Sequence, residues 1–364
     1  MGLVTESLLD TDALSSRPTL RTELCLNRMQ RRWSCSRCAE ICPHGVFPLK
    51  SGDALRWDFC TDCNLCVSAC PTRALLPSAP ERRIWAELPA PEGPIRIGCR
   101  KEEKRCDARV GCLAAIPWEL LAALALRNGV VLSMEQCVFC DRAECKELLQ
   151  DNIQRVKNLI GEDRCGALLR LTDGETEIPL PAGAAAEEKA VTRRELFSGI
   201  RRRLGKSLAS AAEKRLPFLS HEDAEPLGYR LLLSETVNAE LRQEVRGTCP
   251  DYGVSLPRFN TNCFGCGICE KICPHRALSI QREEGGTRLI SIEAKRCTGC
   301  LLCVRLCPHG GLDGLEPIRV PHLEKLPLVR VKSLSCERCG AVLLPGTEPP
   351  LCRRCAEREK KRRV

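Results

Sequence analysis

Aromatic side chains are scarce in this sequence, with 7 Phe, 4 Trp and 2 Tyr making up 4% of 364 residues. Methionine (3) and histidine (5) are few as well. Aromatics usually supply the largest buried areas of a core, so a chain long enough for several domains must find part of its cohesion elsewhere. No apolar run reaches the length of a membrane span, and no transmembrane helix is expected. Residues 1–12 carry acids and no basic-then-apolar pattern, so export is not expected. Phosphate loops, dinucleotide Gly fingerprints and Ser/His/Asp arrangements are all missing, which argues against nucleotide-dependent and serine-hydrolase chemistry.

What the chain has in abundance is cysteine, 28 residues grouped in runs. Cys263-x-x-Cys266-x-x-Cys269-x-x-x-Cys273-Pro274 recurs as Cys297-x-x-Cys300-x-x-Cys303-x-x-x-Cys307-Pro308. Thiols two residues apart wrap a short turn around one centre, and the closing proline can neither donate to that turn nor continue it. Over 260–315 the chain resembles the two-cluster bacterial-type ferredoxins, matching at every cysteine. The resemblance implies two [4Fe–4S] clusters, one on Cys263, Cys266, Cys269 and Cys307, the other on Cys297, Cys300, Cys303 and Cys273. It also implies short strands over the clusters, and 277–280 and 289–292 flank Gly285-Gly286 as a hairpin would. Zinc is the alternative, but it usually takes pairs of Cys-x-x-Cys rather than four-Cys runs ending in Pro.

A second such module lies near the N-terminus. Cys60-x-x-Cys63-x-x-Cys66-x-x-x-Cys70-Pro71 is complete, whereas Cys35-x-x-Cys38-x-x-x-Cys42-Pro43 has Arg32 where its first cysteine belongs. Multi-cluster ferredoxin-like proteins place a ligand at longer range, and Cys25 is the substitute that this resemblance points to. It then assigns Cys25, Cys35, Cys38 and Cys70 to one cluster and Cys60, Cys63, Cys66 and Cys42 to its neighbour.

Between the two modules the periodicity changes. Residues 95–99 and 110–112 read as strand ends closing on Cys99 and Cys112, 117–128 as a helix stopped by Gly129, and 130–134 as a buried strand. Cys137-x-x-Cys140-x-x-x-x-Cys145 follows, then a helix over 146–160 ended by Gly161. Alternating strand and helix predicts a small parallel α/β domain, whose ligands collect beyond the carboxyl ends of the strands, where Cys99, Cys112 and Cys137 fall. This order, with Cys112, Gly129, Cys137, Cys140 and Cys145, resembles the delta subunit family of methyl-viologen-reducing hydrogenases. The resemblance implies a [2Fe–2S] cluster and electron delivery between a hydrogenase and a disulfide reductase. A zinc site, or reduced thiols in a structural domain, stays open as an alternative, and Cys165 reads as core.

Residues 174–190 read as a linker, and Thr192-Arg193-Arg194-Glu195 as a capping box opening a helix with Leu196, Ile200, Leu204 and Leu208 on one stripe. Residues 226–246 read as a helix linking this arm to the second ferredoxin module. Near the C-terminus, Cys336-x-x-Cys339 and Cys352-x-x-Cys355 resemble zinc-ribbon knuckles, with a single iron as the alternative metal.

The expected fold is thus α+β and multidomain. Two ferredoxin-like dicluster modules (25–80 and 249–318) flank a small parallel α/β domain (94–180). A lead (1–24), a linker and helical arm (181–248) and a zinc-ribbon-like four-cysteine segment with a basic tail (330–364) complete it. The formal charge of +9 does not predict nucleic-acid binding, because four oxidised cubanes with their thiolates carry about −2 each and cancel about eight of those charges. The grouped cysteines fit metal ligation in a reducing, anaerobic cytoplasm rather than disulfides. The function expected is passage of single electrons to or from a partner oxidoreductase (a hydrogenase, dehydrogenase or reductase) rather than stand-alone catalysis. Two further readings remain: a disulfide or sulfur-substrate reductase working at the middle domain, and a cluster-based redox sensor or assembly factor. Peripheral membrane contact is the lesser reading for the Arg-rich arm, against a solvated face on a packing helix.

Overall fold

The computed structural model describes residues 16–29, 35–48, 54–88, 93–140, 143–172, 227–240, 255–317, 325–343 and 351–362. The chain divides into two compact units, Met1–Gln243 and Glu244–Val364. Among the described residues, no helix is long and apolar enough to cross a membrane. The expected linker at 174–190, the capping-box helix from Thr192, Cys249, His221 and His322 lie outside the described residues.

The first unit opens with β1 (Thr19–Leu20), α1 (Leu26–Met29), α2 (Arg37–Ile41), α3 (Leu65–Ala69) and β2 (Leu75–Leu76). β1 pairs antiparallel with β2, bringing the segment before Cys25 against the end of the complete cysteine run. Helices α2 and α3 each stop at an extended cysteine, Cys42 (φ −79°) and Cys70 (φ −70°). Each precedes a proline, whose ring disfavours helical backbone in the residue before it. Helix α4 (Ala79–Ala86) starts at Ser78, whose Oγ accepts the N–H of Glu81.

The α/β part contains β3 (Ile95–Cys99), β4 (Ala108–Val110), α5 (Trp118–Asn128), β5 (Val130–Ser133), α6 (Glu135–Val138), α7 (Ala143–Ile160), α8 (Glu162–Leu168) and β6 (Leu169–Thr172). The four strands form one parallel sheet in the order β4-β3-β5-β6. All four residues of β5 are buried, as a central parallel strand covered on both faces requires. Helix α5 is buried at every position from Trp118 to Leu126 and ends at Gly129 in the left-handed region (φ 76°). A helix apolar all round needs cover on all sides. It receives it from α7 and from α9 (Gly228–Glu240). The sequence reads 226–246 as a helix leading to the second ferredoxin module; Gly228–Glu240 is helical, and Leu232, Leu233 and Val237 are buried as α9 packs on α5. Helix α7 begins at Ala143, three residues before the start that the sequence predicts, and β6 adds a fourth strand to the sheet.

The cysteine-run half of this unit is fastened to the sheet half by buried polar groups. Arg73 Nη2 donates to both Glu119 oxygens at 2.7 Å, and Arg230 approaches the same carboxylate at 3.8 Å. Asn152 Nδ2 lies 3.0 Å from Ser68 Oγ and 3.1 Å from the Ile116 carbonyl.

The second unit contains β7 (Ser255–Phe259), α10 (Ile268–Ile272), β8 (Leu278–Arg282), β9 (Thr287–Glu293), α11 (Leu302–Arg305), β10 (Leu312–Pro317), β11 (Lys325–Lys332) and α12 (Arg353–Arg362). The expected hairpin is present as β8–β9, with Gly285 and Gly286 at φ 67° and 76° in its turn. Two antiparallel sheets result, β10-β7 and β11-β9-β8. Strand β11, for which the sequence offers no expectation, carries Pro327. The proline sits where the register shifts between Pro327 and Val329 on an edge strand, a place where the missing N–H is tolerated.

Candidate iron–sulfur and metal sites

Each of the four cysteine-proline endings closes in the same way. Three residues after the cysteine the chain turns through a left-handed residue, Gly45 (φ 60°), Arg73 (52°), Arg276 (51°) or Gly310 (60°). The next amide then donates back to the cysteine sulfur: Val46 to Cys42 (3.4 Å), Ala74 to Cys70 (3.2 Å), Ala277 to Cys273 (3.3 Å) and Gly311 to Cys307 (3.2 Å). An N–H aimed at sulfur favours the thiolate, the form that binds metal. The left-handed conformation costs a non-glycine residue about 1–2 kcal/mol, so Arg73 and Arg276 bear strain to keep the geometry. Inside the three complete runs two further left-handed residues recur, Asp62 and Asn64, Gly265 and Gly267, Gly299 and Leu301. Asn64 is held there by Ser78, whose N–H donates to Asn64 Oδ1 at 3.0 Å. These anchors carry no motif signal of their own and were not foreseen from sequence.

The thiols gather across runs. Burial pushes Cys38 up to about 12, and the Cys70, Cys35 and Cys25 thiols add to the shift. Cys35 is raised by burial too, against the Arg37 amide, with Cys70 and Cys25 again among its neighbours. Cys66 rises well above the usual thiol range through burial, then through Cys63, Cys38, Cys42 and Cys60. In the second unit, burial takes Cys269 up to about 12 with help from Cys263, Cys266 and Cys307. Burial likewise takes Cys303 up to about 12, with Cys297, Cys300, Cys269 and Cys273 adding to it. Sulfurs that crowd and oppose one another's ionisation are stable as thiolates once cations sit between them.

Two hollows show the same cross-pairing. One is lined by Cys42, Cys60, Cys63 and Cys66 together with Phe47 and Trp57. Another is lined by Cys263, Cys266, Cys269 and Cys307 together with Ile280 and Ile290. In both, the last cysteine of one run completes the first three of the other. The donor sets fit a [4Fe–4S] group. Of the histidines, His275 is buried with its carbonyl accepting from Arg296 Nε, and His309 packs on Phe264 at 4.6 Å between ring centres.

A further group stands at the carboxyl ends of the parallel strands. Cys99 ends β3, Cys112 lies two residues past β4, and Cys137 is in α6 directly after β5. Burial pushes Cys137 up to about 11, and Cys99, Cys112 and Cys140 add to the shift. Cys145 is buried on α7. Cys106 is raised by burial and by Glu102, against Arg109 and Arg96. Cys165 is buried in α8, the core position expected of it.

The C-terminal knuckles differ in scale. The sulfurs of Cys336, Cys339, Cys352 and Cys355 all lie within 4.8 Å of one another, with Cys339 and Cys352 at 3.6 Å. Among the described residues this is the one group of three or more ligating side chains so compact. Four sulfurs each about 2.3 Å from one zinc-sized ion would stand about 3.8 Å apart, so the group suits a single ion. The amide of Cys352 holds Cys336 down, to about 6, outweighing burial with the help of the Cys339 and Arg338 amides.

Comparison with known proteins agrees with this geometry in part of the chain. No curated protein and no solved structure matches it. Residues 33–75 and 262–311 each match a family model described as a 4Fe-4S dicluster domain. The chain therefore carries two 4Fe-4S dicluster ferredoxin-type domains, which supports an iron–sulfur electron-transfer role.

Proposed function

We propose that this protein carries single electrons through four [4Fe–4S] clusters and a fifth centre to or from a partner oxidoreductase. The observation that carries the reading is the pair of hollows in which Cys42 completes Cys60, Cys63 and Cys66, and Cys307 completes Cys263, Cys266 and Cys269. The remaining two clusters fall to Cys25, Cys35, Cys38 and Cys70, and to Cys273, Cys297, Cys300 and Cys303. A [4Fe–4S] cluster supplies reversible one-electron chemistry, with no bond made and no proton moved. The chain's own part is to hold the sulfurs, to exclude water with Phe47, Trp57, Ile280 and Ile290, and to aim N–H groups at sulfur. Such hydrogen bonds stabilise added negative charge and tune the potential.

Cys99, Cys112, Cys137 and Cys140 form the fifth centre. The resemblance to the hydrogenase delta subunit family favours [2Fe–2S] there. Electron carriage is preferred to thiol catalysis because Cys99, Cys112, Cys137 and Cys140 gather as a donor set rather than as a single thiol beside a base. The C-terminal group holds zinc, as four thiolates around one compact site most often do. In chain order the two dicluster modules flank the α/β domain.

The test is iron, acid-labile sulfide and zinc per chain on anaerobically purified protein, with electron paramagnetic resonance after reduction. The expected result is about eighteen or more irons and one zinc, with Cys25→Ser losing about four irons. About sixteen irons would remove the fifth centre, and about eight would remove the assignment through Cys25 and its neighbours.

A further inference from the structure

The fifth thiol group and the Cys42, Cys60, Cys63, Cys66 group belong to different parts of the first unit, yet one loop touches both. Thr61 and Asp62 stand between Cys60 and Cys63. Arg100, the residue after Cys99, donates Nη1 to the Thr61 carbonyl and Nη2 to the Asp62 carbonyl, each at 2.9 Å. Its guanidinium also lies 3.8 Å from the Asp62 carboxylate. Gly111, the residue before Cys112, presses on the same loop. A Cβ at Gly111 would stand 2.6 Å from the Asp62 carbonyl oxygen and 2.9 Å from Cys63 Cα, nearer than real contacts allow. Gly111 is not among the residues with positive φ, so what demands glycine there is the close approach and not the backbone conformation.

Two of the four middle cysteines are thus carried by residues clamped onto the loop between two cysteines of the neighbouring group. From this we infer that Gly111 and Arg100 form the electron junction of the first unit, setting the middle centre directly beside the Cys42, Cys60, Cys63, Cys66 cluster. The inference rests on the proposed fifth centre. Across the junction one group is oxidised by one electron and the other is reduced by one, with no bond broken and no proton required. Backbone meets backbone at Gly111, so the two segments approach there as closely as the chain permits. A larger residue there would force the backbones of Gly111 and Cys63 apart and so lengthen the path.

The test is electron paramagnetic resonance of the full chain, poised with the middle centre reduced and then reduced completely. Wild type is expected to show the middle-centre signal broadened or split once the neighbouring cluster becomes paramagnetic. Gly111→Val, retaining wild-type iron and sulfide, is expected to lose that splitting. Arg100→Gln, at a half-exposed side chain, is expected to weaken it and covers the case in which Gly111→Val does not fold. A sharp, unsplit middle-centre signal in fully reduced wild type would overturn the junction, as would unchanged splitting in both iron-replete variants. Cys137→Ser separates this from failure of the underlying reading. Unchanged iron in Cys137→Ser sinks the fifth centre and the junction together, whereas lost iron alongside an isolated wild-type signal sinks the junction alone.

Discussion

Glu81 and Glu119 are both buried carboxyls, and their surroundings move them in opposite directions. Burial raises Glu119, but Arg73 and Arg230 outweigh it and hold the carboxyl below its usual range. Glu81 is pushed up to about 7 by burial, with the Gly111 amide opposing and Asp62 adding. Its folded value lies above the unfolded one, so its protonated form contributes stability that is complete at low pH and lost as pH rises through about 7. Glu81→Gln cannot ionise and is expected to gain on wild type as pH is raised from about 5 to about 8. Urea unfolding of the holoprotein, followed anaerobically by circular dichroism, reads this out. Equal differences between the two proteins at both pH values would show that Glu81 does not titrate there.

Helix α9 shows how an element finds its place. It enters the core of the first unit because α5, buried at every position from Trp118 to Leu126, needs cover beyond that of β5 and α7. Leu233 is fully buried in that contact. Leu233→Ala is expected to cost about 2–5 kcal/mol in chemical unfolding of the holoprotein, the range for a large-to-small change in a packed core. A loss well under that range would mean that α9 rests on the surface rather than in the core. Strand β11 is the counterpart in the second unit, where an edge strand accepts Pro327 at a register shift.

At the scale of the whole molecule, sites of two sizes coexist. The hollows each gather four cysteines from two runs and suit polynuclear groups, whereas the C-terminal sulfurs, within 4.8 Å of one another, suit one ion. The two kinds should therefore respond separately. Cys336→Ser is expected to lose the single zinc equivalent while iron and sulfide per chain stay at wild-type levels, as measured by elemental analysis. Iron lost in place of zinc would assign an iron centre to the knuckles.

The cysteine runs were readable because their information is local. Spacing and the closing proline decide the turn, and the same left-handed residue and N–H···S bond recur at Cys42, Cys70, Cys273 and Cys307. The parallel sheet was readable for a related reason, since buried β5 and the helix stops at Gly129 and Gly161 are local signals. The place of α9 and the strands β6 and β11 were not, because each depends on a partner surface distant in sequence. Resemblance and strand order pointed to Cys25 with Cys35, Cys38 and Cys70, and to Cys99, Cys112 and Cys137 at strand ends, but spacing could not bring these thiols near one another; that was left to the tertiary structure. It also decided that Gly111 meets Cys63, a contact between two backbones that no spacing within either segment encodes.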